Sequence, residues 1–151
     1  MNQKYVILEI IPTASNPEYG DVIQLSALKI DNLNLIDRFD YRLNEEHIPL
    51  TDMVTMISYD KDKFVYKDST EDIMKSFKHW IEDYPLLILN NSYTLAYLKD
   101  IPNIKKDIGT YLNIPYTDEI IDNIMEKYKL EPSNYIVDLL YEALIYETNN
   151  K

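Results

Sequence analysis

From Tyr5 to Ile11 the chain reads YVILEII, apolar at every position except Glu9. A short continuous apolar run, ended by the turn formers of PTASNPEYGD (12–21), predicts a strand over residues 4–11 that is buried on both faces. Such a strand needs a covering layer on each side of its sheet, which restricts the chain to an α/β architecture. The anomaly is the acid. An ionised carboxylate in an otherwise apolar strand is costly unless something holds it, and Ile11, two residues on, carries none.

The segments that follow support the same class. VIQLSALKI (22–30) and NLIDRFDYRL (34–43) alternate more loosely, and the Asp31-Asn32 break between them suggests a hairpin. Three early strands with short connections imply an antiparallel meander. Beyond Pro49, LTDMVTMI reads as a short helical turn. DSTEDIMKSFKHWIEDY (68–84) sets Ile73, Phe77, Trp80 and Ile81 at helical spacing, with Ser69 or Thr70 as cap and Glu71 and Asp72 in the first turn. PLLILN (85–90) is a second buried strand, and SYTLAYLKDI (92–101) a helix ended by Pro102. Residues 104–130 hold amphipathic material whose boundaries the pattern does not fix. SNYIVDLLYEALIYE (133–147) aligns Ile136, Leu139, Leu140, Ala143 and Leu144 in one stripe, which predicts an amphipathic helix. With no repeat or linker, residues 1–151 are expected to form one domain.

Composition narrows the function. The absence of cysteine removes disulfides, thiolate metal sites and cysteine catalysis. MNQKYVILEI has too short an apolar core for a signal peptide, and no stretch approaches the roughly 18 apolar residues of a membrane span, so a cytoplasmic protein is expected. Fifteen basic against 26 acidic residues give a net charge of −11. Phosphate binding draws its affinity from basic patches, whereas Lys61, Lys63 and Lys67 form only one loose group and Lys105 and Lys106 another. The charge therefore disfavours a nucleic-acid partner, though a local groove can still be positive.

The order of these pieces resembles that of the DnaQ-like 3′–5′ exonucleases, which have a ribonuclease H-like fold. Members open on an apolar strand ending in Asp-x-Glu, followed by Thr-Gly and a second strand of the form IIQIGAVKI. YVILEIIPTASNPEYGDVIQLSALKI is similar to this without a gap. LIDRFDYRLN, IPLTDMVTMIS, LLILNNSYTLAYL and KLEPSNYIVDLLYEAL then follow where the family has its third strand and its later motifs. The resemblance implies a mixed five-stranded sheet, a three-stranded antiparallel meander followed by parallel strands, flanked by helices.

It also implies a chemistry. Family members hold two divalent cations about 4 Å apart on four carboxylates, with a histidine or, in a sister branch, a tyrosine as general base. Carried over residue by residue, the first Asp falls on Glu9, the Glu on Ile11 and the second Asp on Thr94. The general base falls on Asn134 and the last Asp on Leu139. Thr-Gly becomes Thr13-Ala14. One acid remains of four, and because residues two apart on a strand share a face, Ile11 faces the position of the ions. Asp138 lies beside the last position, about 100° away around a helix. Tyr93 and Tyr135 neighbour lost positions, and His47 and His79 lie outside every motif.

The resulting expectation is a catalytically degenerate exonuclease-like protein that holds no cofactor and serves as a protein-interaction or regulatory module in nucleic-acid metabolism. The alternatives are a residual Mg²⁺- or Mn²⁺-dependent 3′–5′ exonuclease using Glu9, Asp138 and Asp122 or Glu142, an acidic decoy of a DNA-binding protein, and a nucleic-acid binder that does not cleave.

Overall fold

The computed structural model describes residues 4–18, 20–42, 70–89, 92–133 and 135–149. His47, the LTDMVTMI segment, Lys61, Lys63, Lys67, Ser69, the Thr70 side chain and Asn134 lie outside the described residues. Five strands, β1 (Lys4–Pro12), β2 (Val22–Asp31), β3 (Asn34–Arg42), β4 (Leu86–Ile88) and β5 (Lys105–Asp107), form one sheet in the order β3-β2-β1-β4-β5. The first three are antiparallel neighbours; β4 runs parallel to β1, and β5 parallel to β4. This is the mixed sheet expected. Five helices complete the described chain: α1 (Thr70–Ile81), α2 (Ser92–Tyr97), α3 (Ile108–Leu112), α4 (Ile120–Tyr128) and α5 (Ile136–Asn149).

The strand YVILEII is central and covered twice. Val6, Leu8 and Ile10 enter one apolar layer with Leu25, Ala27 and the α1 residues Ile73, Phe77 and Ile81. Tyr5 and Ile7 enter the other with Leu28, Ile30 and the α5 residues Val137, Leu140, Ala143 and Leu144. The two-residue period of a strand divides its side chains between these layers. A register shift at Ile11/Pro12, where Pro12 pairs with Val22, turns Val22 into the α1 layer. The β2–β3 connection is the hairpin expected: Asp31 pairs with Asn34, and Asn32 and Leu33 have φ of 53° and 70°. Two consecutive residues in that region match the right-handed twist of the flanking strands.

Three local outcomes depart from the sequence pattern. Strand β2 alternates in polarity, yet Val22 through Ile30 are all buried, polar residues included. Partners make this possible. Lys29 Nζ lies 3.0 Å from Glu82 and over the rings of Trp80 and Tyr84. The helix expected over 92–101 ends at Tyr97, because the Leu98 N–H is shared between the carbonyls of Thr94 and Leu95 and the chain tightens into turns. β5, reading Lys-Lys-Asp, carries no apolar signal. It exists because Leu86, Leu87 and Ile88 offer it a ladder. The Lys105 ammonium is engaged by the carbonyls of Ile101 and Asn103, and Asp107 caps α3 through the Gly109 N–H at 3.0 Å. The Lys105–Lys106 pair is therefore part of a sheet edge.

Candidate functional site

The strand register brings the residues of interest onto one face. Glu9 lies opposite Ser26, and Ser26 opposite Asp40. Ile11 lies opposite Gln24, and Ile7 opposite Leu28, which faces Arg38. Directly opposed residues project to the same side of a sheet, so Glu9, Ile11, Gln24, Ser26, Arg38 and Asp40 all share the α5 side.

Glu9 is half-buried, and the Gln24 amide donates to it at 3.4 Å while also donating to the Ser26 hydroxyl at 3.0 Å. Ile11 is 3% exposed, Leu139 3% and Thr94 4%. Tyr93, at the start of α2, has its phenol pushed up to about 12, first by burial and then by Tyr116 and the Glu9 carboxylate.

Asp138 is paired with Arg38. Its carboxylate accepts from Arg38 Nη2 at 2.6 Å, and Arg38 Nη1 lies 3.9 Å from Asp40. The guanidinium also sits over the ring of Tyr135, 5.4 Å from its centroid. One turn further along α5, the Tyr141 hydroxyl donates to the Leu33 carbonyl at 2.7 Å. Residues three apart on a helix share a stripe. Two polar ties therefore fix the rotation of α5, Asp138 toward β3 and Leu139 turned inward.

Known proteins with this fold can be compared directly. The solved structure of exonuclease X in complex with 5′ overhanging duplex DNA superposes with a TM-score of 0.68 at 12% identity, over 97% of this chain and 92% of that one. A 3′-exonuclease solved with the 3′ end of a histone mRNA stem-loop gives 0.63 at 16% identity, over 97% of this chain and 63% of that one. The fold is that of the DnaQ-like 3′–5′ exonucleases. No family model matches the sequence. Among curated proteins, the PolC-type DNA polymerase III of Staphylococcus aureus (strain bovine RF122 / ET3-1) is 25% identical over 95 residues, which are 62% of this chain and 6% of the polymerase.

The sequence resemblance implies two divalent ions and assigns their site to positions that include Glu9, Ile11, Thr94 and Leu139. Mg²⁺ and Mn²⁺ are hard cations that require several anionic oxygens. Of these assigned positions Glu9 is the one carboxylate, while Ile11, Thr94 and Leu139 are buried and carry no charge. Among the described residues no three histidines or acids are grouped to hold a metal. Asp122 and Glu142 are exposed on α4 and α5, and His79 is exposed on α1, on the opposite layer of the sheet. The residue missed by sequence reasoning is Arg38. No pattern within NLIDRFDYRL marks a basic residue that will meet an acid a hundred positions later.

Proposed function

We propose that this chain is an exonuclease-fold protein without metal-dependent catalysis, acting by binding another protein. The observation that supports the reading is the pair Ile11 and Leu139, each 3% exposed, at the positions the sequence resemblance assigns to carboxylates. Two-metal phosphoryl chemistry needs both ions to polarise the phosphate and to generate the attacking hydroxide. Glu9, already engaged by Gln24, offers a single negative charge for that task. The net charge of −11 works against tight binding of a polyanion. By analogy with the PolC-type relative, the partner belongs to nucleic-acid metabolism, an association of fold and not of site chemistry.

The test is nucleotide release from an end-labelled single strand of DNA or RNA, at high protein concentration, with Mg²⁺ and with Mn²⁺. The expected result is no release above a chelated control. Metal-dependent release that disappears in Glu9→Gln would replace this proposal with a residual exonuclease.

A further inference from the structure

We infer that Arg38 is a built-in counter-cation, the fixed positive charge that lets the acids on the α5 face exist without divalent ions. The inference rests on the non-catalytic reading and explains how the fold tolerates the loss of its ions. Asp40 and Asp138 lie on different elements, yet both reach one guanidinium, at 3.9 and 2.6 Å. All three side chains are only about a third exposed, so water screens them incompletely. Glu9 lies on the same face, in the cross-strand row that runs through Ser26 to Asp40.

A guanidinium suits this role. It keeps its proton throughout the accessible pH range and presents a planar fork of donors. It lies over the Tyr135 ring, 5.4 Å from the centroid, which limits its freedom to leave. The 2.6 Å contact also holds Asp138 on the β3 side of α5, which keeps the adjacent Leu139 directed inward. Arg38 is thus a positioning residue, and a divalent ion arriving at Asp40 and Asp138 would have to displace a covalently tethered competitor.

Neutralising Arg38 should convert a metal-indifferent protein into a metal-responsive one. The experiment uses the full chain after chelator treatment, with thermal unfolding and the electron paramagnetic resonance signal of free Mn²⁺ read together. Wild type and Arg38→Lys, which keeps the charge, should show no change of melting temperature and no depletion of free Mn²⁺. Arg38→Gln should melt lower without metal, deplete the free signal at millimolar Mn²⁺, and recover about 3 °C when the ion is tenfold above its dissociation constant. The double variant Arg38→Gln/Asp138→Asn should lose that recovery. Should Arg38→Gln fail to fold without metal, refolding in Mn²⁺ to a cooperative state supports the inference. Failure to refold there overturns it. Stoichiometric Mn²⁺ binding by wild type, or a folded Arg38→Gln that ignores Mn²⁺, also overturns it. Nucleotide release by wild type would instead defeat the non-catalytic reading, so the two failures are distinguishable.

Discussion

Returning a carboxylate to position 11 tests the dry face directly. Ile11 is 3% exposed, and losing the burial of its side chain costs about 2 kcal/mol. The new acid would sit two residues from Glu9 on the same face, about 6.6 Å away along the strand. At an effective dielectric of about 20, two like charges at that separation repel by about 2.5 kcal/mol. Desolvation adds to this, but the total is capped. Protonating a glutamate of ordinary pKa at pH 7 costs about 3.7 kcal/mol, and the side chain neutralises once ionisation costs more. Ile11→Glu should therefore lose about 5 to 6 kcal/mol near pH 7, a large share of the about 5 to 15 kcal/mol that stabilises a domain.

The charge part of that loss has a pH signature. The introduced acid has a folded pKa raised above its unfolded value, so the folded state holds the extra proton between the two. Stability relative to wild type then falls as pH rises through this window and recovers as pH drops. At pH 5 the cap is only about 1 kcal/mol, so about 2 to 3 kcal/mol should return. Ile11→Gln supplies the control, because it changes polarity without ionising and should lose about 3 kcal/mol at both pH values. Urea unfolding of the three proteins at pH 5 and pH 7 makes the measurement. An Ile11→Glu protein within about 1 kcal/mol of Ile11→Gln at pH 7, with no gain at pH 5, would refute the reasoning and mean that this face is wet.

Other perturbations probe neighbouring ties. Tyr141→Phe deletes the 2.7 Å hydrogen bond to the Leu33 carbonyl and should cost about 1 kcal/mol, read as a fall of about 2 to 4 °C in melting temperature. A Cβ at Gly20 would collide with the Tyr97 hydroxyl and lie 3.0 Å from Ala14. Gly20→Ala should therefore destabilise by about 1 to 3 kcal/mol, with part of the loss relieved in a double variant with Tyr97→Phe. The phenols of Tyr5, Tyr93 and Tyr97 are each pushed up to about 12, chiefly by burial. Their contribution is intact below pH 10 and is lost as pH rises toward 12, so phenolate absorbance should lag behind that of free tyrosine and then rise together with unfolding. Early, independent ionisation of all 14 tyrosines would contradict it.

The sequence disclosed most where burial was extreme. YVILEII could only be a central strand, and β1 does lie between β2 and β4. Of the stripe Ile136, Leu139, Leu140, Ala143 and Leu144, the last four are buried in α5 and Ile136 is half-buried. β5 was invisible because its existence depends on a neighbour's free edge and its own side chains carry no pattern. β2 misled by polarity, since Gln24, Ser26 and Lys29 look like solvent positions until their partners from β1 and the end of α1 are in place.

The site divides along the same line. Which residues the sequence resemblance assigns to the exonuclease positions is read locally, one residue at a time, and from it follows the question of why one acid stands in an apolar strand. How the surrounding charge is balanced is a non-local fact. Glu9 is held by an amide from the adjacent strand, and Asp138 by a guanidinium from β3 exactly one hundred residues away in the chain. Alternation and helical spacing report which face a side chain takes, never what waits for it there. The row Glu9, Ser26, Asp40 and the Arg38–Asp138 pair come into being only when β3 folds back on β2 and α5 settles across them.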